Sequence, residues 1–255
     1  MNLLGLEKRM NSRLTASVLV VASLGVTMAN AVQTVIPSQF AAAEGNSSSS
    51  SLFQTGGASI QAFYSEAFLT AAGITSGSII NGIAYRRNTG GAVGPAGSTS
   101  FDSYSIGMSS SFATSTELTA TFANNIIGTQ TQVYSGPTSF AANSFPGGGT
   151  PNGFGPTIDF TTGYLYTGGS LLIEIRRGTR SGDVTALNTD VDNTVTTQAG
   201  ARWLFNTSSN AATTGTLSNG AQIFQLQYQP VPEPATMAAL ALGSAMIIRR
   251  RKRSK

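Results

Sequence analysis

Residues 222–228, Gln-Ile-Phe-Gln-Leu-Gln-Tyr, decide the fold: Phe224, Leu226 and Tyr228 alternate with Gln225 and Gln227. Alternation with a period of two puts apolar side chains on one face of a strand and amides on the other. The pattern recurs upstream. Leu171, Ile173 and Ile175 point one way while Glu174 and Arg176 point the other, and Trp203 and Phe205 share a face that excludes Arg202. Tyr104, Ile106 and Met108 share another face, and Ile60, Ala62 and Tyr64 alternate with Gln61 and Ser65. Ser78 to Arg87 predicts a strand with Ile79, Ile83 and Tyr85 apolar and a bulge at Gly82. Glycine, asparagine, proline and serine punctuate these runs, as turns require. The expected fold is all-β: an antiparallel β-sandwich, jelly-roll-like, each sheet having one core face and one wet face. Helix is expected to be scarce, with Ser65 to Ala72 and Ser115 to Ala123 the only stretches suited to two turns.

This β pattern fills residues 52–229. Before it, residues 32–51 end in a run of serines and predict a flexible lead-in, with a short strand around Thr34 to Phe40 as the alternative. Further upstream, Lys8, Arg9 and Arg13 precede an apolar run from Leu14 to Met28. Ala29-Asn30-Ala31 then supplies small residues where a signal peptidase reads. Residues 1–31 are therefore expected to be a signal peptide cleaved after Ala31, leaving Val32 as the mature N-terminus. An uncleaved signal anchor is the alternative.

At the other end, residues 230–255 change character again. Pro232 and Pro234 bracket Glu233; each proline fixes its own φ and pushes its predecessor toward extended geometry. Ala235 to Ile248 is an uncharged run of fourteen residues, about 21 Å long as a helix. That is short against a hydrocarbon core of roughly 30 Å, but arginine stems can snorkel and extend the reach. Arg249, Arg250, Arg251, Lys252 and Arg253 form a basic stop that favours the cytoplasmic side. A short C-terminal transmembrane helix is expected, with a tail anchor or a buried terminal helix as alternatives. The order Val-Pro-Glu-Pro-Ala, apolar stretch and terminal basic cluster resembles the PEP-CTERM sorting domain of exported bacterial proteins. The resemblance covers about a tenth of the chain. It implies recognition by an exosortase, a multi-pass membrane cysteine transpeptidase, through Pro232, Glu233 and Pro234, with Arg249 to Arg253 as the stop. A looser likeness joins Phe122-Ala123-Asn124-Asn125, Val133-Tyr134-Ser135-Gly136, Gly163-Tyr164 and Ser170 to Ile175. These look like a sandwich body often found ahead of such tails, which supports the fold and little else.

Charge divides along the same boundaries. The whole chain carries a formal +4, yet residues 32–229 hold six arginines, nine acids and no lysine, a net charge near −3. Such a body offers no electrostatic footprint for a phosphate backbone, so nucleic acid is not an expected partner. Arg86-Arg87 and Arg176-Arg177 are expected at strand edges or loops, keeping the sheets soluble. The chain has no cysteine and no histidine, which removes disulfides, thiol nucleophiles, imidazole-dependent triads and His/Cys zinc sites. Glu66, Asp102, Glu117, Asp159 and Glu174 are dispersed along the sequence, so nothing pairs them as a glycosidase would. Catalytic residues, metal ligands and cofactors are accordingly expected to be none. Asp183, Asp190, Asp192 and Asn193 lie within eleven residues and have the oxygen-rich chemistry of a Ca²⁺ loop, although solvated loop carboxylates explain them better. Trp203 is the candidate carbohydrate contact, together with Tyr85, Tyr104, Tyr164, Tyr166 and Tyr228; core packing is the commoner fate of such rings. The expected protein is exported through signal peptidase and the export machinery, processed by an exosortase at the inner membrane, and delivered to the envelope, cell surface or extracellular matrix. There it is expected to do structural or adhesive work without being an enzyme. A carbohydrate-binding module acting on exopolysaccharide is the alternative.

Overall fold

The computed structural model describes residues 30–90, 94–193 and 200–231. The body is all-β with antiparallel sheets. Its strands are β1 (Val32–Ile36), β2 (Ser47–Ser49), β3 (Ala58–Tyr64), β4 (Ile79–Tyr85), β5 (Thr99–Ser110), β6 (Ile127–Phe140) and β7 (Ile158–Leu165). They continue with β8 (Leu171–Arg177), β9 (Arg180–Gly182), β10 (Thr189–Asp192), β11 (Ala201–Asn206), β12 (Thr216–Asn219), β13 (Ala221–Gln222) and β14 (Phe224–Gln229). One sheet runs β1-β14-β4-β7; a larger one runs β12-β11-β3-β8-β5-β6, with β9 also on β5. A small third sheet, β13-β10-β2, closes a corner.

The alternation at residues 224–228 is realised as expected. Phe224, Leu226 and Tyr228 face a core that also holds Ile60, Ile106, Ile173, Ile175 and Trp203 from the larger sheet, giving a sandwich-like arrangement. Fully burying an aliphatic or aromatic side chain of this kind contributes about 1.5–3 kcal/mol. Phe53 anchors a nest of rings, lying 5.9 Å from Tyr85, 5.9 Å from Phe101 and 5.2 Å from Phe145, mostly edge to face. The bulge expected at Gly82 is present: Gln227 pairs with Gly82 and Tyr228 with Ile80, skipping Asn81. Glycine is required there, because a Cβ would meet Thr157 Cγ2 at 2.7 Å. Among the described residues the single α-helix, α1 (Glu66–Ala71), falls within the first expected helical stretch. The second instead gives two 3₁₀ turns, Ser115–Glu117 and Phe122–Asn125.

Two expectations are corrected. Residues 32–51 are not a loose lead-in, since β1 pairs along its whole length with β14 and β2 pairs with β10. Nor is the outer face of the larger sheet wet at its centre. Phe63 and Leu172 form a second apolar cluster with Leu118, covered by Phe112, Ile126 and Leu217. Under this cover Glu174 is buried; its carboxylate accepts from Gln61 Nε2 at 2.7 Å and from Arg176 Nε at 2.8 Å. Gln61 donates again to Phe122 O, and Asn125 Nδ2 donates to Gln61 Oε1 at 3.0 Å. Asn125, in the Phe-Ala-Asn-Asn turn, thus ties the cover to the sheet.

Candidate functional site

Both ends of the body leave it side by side. Val32 is the first residue of β1 and pairs with Tyr228, the penultimate residue of β14. Gln229, the last, pairs with Ile79 of β4, and Ile79 pairs with Leu165 of β7. The α1–β4 loop braces this end: Thr34 Oγ1 donates to Ala72 O at 2.8 Å and Tyr228 Oη to Gly73 O at 3.1 Å. Ala31 is exposed immediately before β1, where a peptidase site was expected. Ala29, the recognition residues Pro232, Glu233 and Pro234, the apolar run with its expected transmembrane helix, and the basic stop Arg249, Arg250, Arg251, Lys252 and Arg253 lie outside the described residues, as does most of the expected signal peptide.

Elsewhere, three buried arginines grip the segment between β1 and β3. Arg86 is 1% exposed and Asp190 is fully buried; Nη2 lies 2.5 Å and Nε 2.9 Å from Asp190 Oδ2. The same guanidinium donates to Phe40 O and Ala43 O, at 2.9 and 2.8 Å. Asp190 Oδ1 accepts from the Gly45 amide at 3.0 Å and from Asn88 Nδ2. Burial raises the Asp190 pKa, while Arg86 pulls it down. Arg177 donates through Nη2 to Ser51 O at 2.8 Å and through Nη1 to Gly56 O at 2.5 Å; burial lowers its pKa to about 10. Arg180 reaches Phe53 O, Asp183 O and Thr185 O. Each guanidinium also lies over an aromatic ring, Phe154, Phe101 and Phe53 respectively. Arg86 and Arg177 are therefore not the solvated edge charges expected. Their role is to satisfy carbonyls in a segment too irregular to satisfy them through sheet pairing. The signal for this was the body's exclusive use of arginine over lysine, since the planar five-donor fork suits several fixed acceptors at once.

The four oxygen-bearing residues of the Asp183–Asn193 loop do not converge. Asp183 accepts from the Gly97 amide at 2.7 Å and the Thr185 amide at 2.9 Å, and hydrogen bonding from Thr185 and then Gly97 brings its pKa down to about 2. Asp190 is committed to Arg86, and Asp192 is buried, so neither is the solvated carboxylate expected. Asn193 donates to Asn46 Oδ1 and to Ser47 Oγ. Among the described residues no cluster of three or more acidic side chains is gathered as a metal site. Beside this corner lies an open polar hollow of about 410 Å³, lined by Glu44, Asn46, Ser47, Ser48, Asn88 and Gly90.

The aromatic residues considered for sugar contact face inward. Trp203 is 5% exposed and stacks on Phe205 with ring centres 4.6 Å apart. Tyr85, Tyr104, Tyr164, Tyr166 and Tyr228 are also buried, and the Tyr85 and Tyr104 hydroxyls bond to each other at 2.7 Å. Burial lifts the pKa of both phenols. Trp203 is thus a core residue rather than an accessible platform.

The fold defines a β-rich body whose last strand, β14, ends beside the start of its first, β1. Residues 230–253, which begin directly after β14, match the family model of the PEP-CTERM protein-sorting motif. The tail is therefore consistent with an exosortase-processed exported protein. None of the curated proteins matches this chain.

Proposed function

We propose that this is an envelope or extracellular-matrix protein whose jelly-roll-like body does structural or adhesive work and is not an enzyme. Residues 1–31 direct it to the export machinery and are removed by signal peptidase after Ala31. The Ala235–Ile248 segment then holds it in the inner membrane as a short helix until an exosortase acts at Pro232-Glu233-Pro234. The observation that carries the reading is the match of residues 230–253 to the sorting motif directly after the last strand. The inward packing of Trp203 and five tyrosines favours a structural body over a carbohydrate-binding module, which needs an exposed aromatic platform or a polar cleft. The hollow at Glu44–Gly90 is a polar concavity in which a saccharide would be sought. A glycan-array screen of the exported protein tests the choice: no retained glycan is the expected result. A specific hit abolished by Asn46→Ala or Asn88→Ala would transfer the function to exopolysaccharide binding.

A further inference from the structure

Large apolar side chains exposed on the body include Val32 at 40%, Leu165 at 56% and Val231 at 44%. All three belong to one end of the smaller sheet. Val32 starts β1 beside Tyr228, and Leu165 ends β7 beside Ile79. Val231 lies over Gly77, close enough that a Cβ on the glycine would meet its Cγ2 at 2.8 Å. Ile79, half-buried, lies between Gln229 and Leu165 on the outer face of that sheet. Neighbouring strands stand about 4.8 Å apart, so the row across β14, β4 and β7 sets Ile79 and Leu165 side by side, with the Gln229 amide between Ile79 and β1 and with Val231 two residues beyond Gln229. The α1–β4 loop alongside it, Ala72 to Ser78, carries no charge. The buried arginines Arg86, Arg177 and Arg180 instead serve the 40–56 segment.

Resting on the membrane reading of the tail, we infer that this end of the body is a lipid-contacting surface: while the tail is in the bilayer, Val32, Leu165 and Val231 lie against the headgroup layer. Chain length supports the choice of a bilayer over another occupant. Only six residue steps separate Gln229 from Ala235, the first residue of the apolar run, about 20 Å at full extension. The headgroup layer takes up roughly 5–8 Å of that on each side of a bilayer. This end is therefore the part of the body nearest the lipid and cannot be carried far from it. Cleavage after Ala31 would add the α-amino group of Val32 to the same surface, a positive charge suited to anionic headgroups.

The absence of cysteine makes the test direct, since one introduced thiol takes one fluorophore. The full-length chain carrying Leu165→Cys, and separately Gln39→Cys beyond the opposite end of β1, is labelled and reconstituted in phosphatidylcholine vesicles containing a nitroxide-quenching lipid. The label at position 165 should lose most of its emission and that at position 39 little. Equal emission from the two positions, in vesicles that retain the protein on flotation, overturns the lipid surface and leaves the tail reading standing. Protein that fails to float overturns both.

Discussion

Asp190→Ala should cost about 3–5 kcal/mol, because it strands a buried arginine without its counter-charge. Arg86 is 1% exposed, and after the substitution its guanidinium keeps only Phe40 O, Ala43 O and the Phe154 ring. The Gly45 amide loses its acceptor as well, and Asn88 Nδ2 is left with Ser47 O. Against the 5–15 kcal/mol typical of a domain this is a large fraction, and for a body of this size it lowers Tm by about 10 °C. Replacing both partners, Arg86→Met with Asp190→Leu, should cost less than Asp190→Ala alone, since no charge is left uncompensated. Urea unfolding of the parent and the two variants, followed by circular dichroism, checks the order. Hydrogen exchange should show residues 38–50 losing protection first in Asp190→Ala. A single variant as stable as the parent would mean that the pair does not pin the segment.

Replacing Pro232, Glu233 and Pro234 together by alanine should abolish processing. The two prolines hold an extended, low-entropy strip that a protease cleft can bind as a strand, and Glu233 is its only charge. Three alanines remove that charge and favour helix continuing into Ala235–Ile248, so both the shape and the polar mark are lost. Fractionation should find the unprocessed protein held in the inner membrane. Surface release at the parental level would reject the sorting role of the motif.

What the sequence disclosed follows from what is local in it. Phe224, Leu226 and Tyr228 announced their strand because a period of two is written within seven residues, and the proline-bracketed tail is likewise a contiguous signal. The serines at 47–51 looked flexible because serine gives no core pattern; the order of Ser47–Ser49 comes from β10, about 140 residues further on. Leu172 and Phe63 broke the expected wet face for the same reason, since their cover arrives from residues 112–126 and Leu217. Arginine burial was hidden because, Asp190 and Thr99 apart, the acceptors are backbone carbonyls, which every sequence possesses and none advertises. Trp203 was legible only as an aromatic residue on a strand; which side of the sheet faced inward had to come from the packing of β11 against β3 and β12.

That the two ends are membrane addresses, removed once a folded body stands between them, is tested most directly by mass spectrometry of the protein released from the cell surface. Its first residue should be Val32, and its last should lie at or before the Pro232–Pro234 strip, with Arg249 to Arg253 gone. A released protein of full mass, from Met1 to Lys255, would contradict the account.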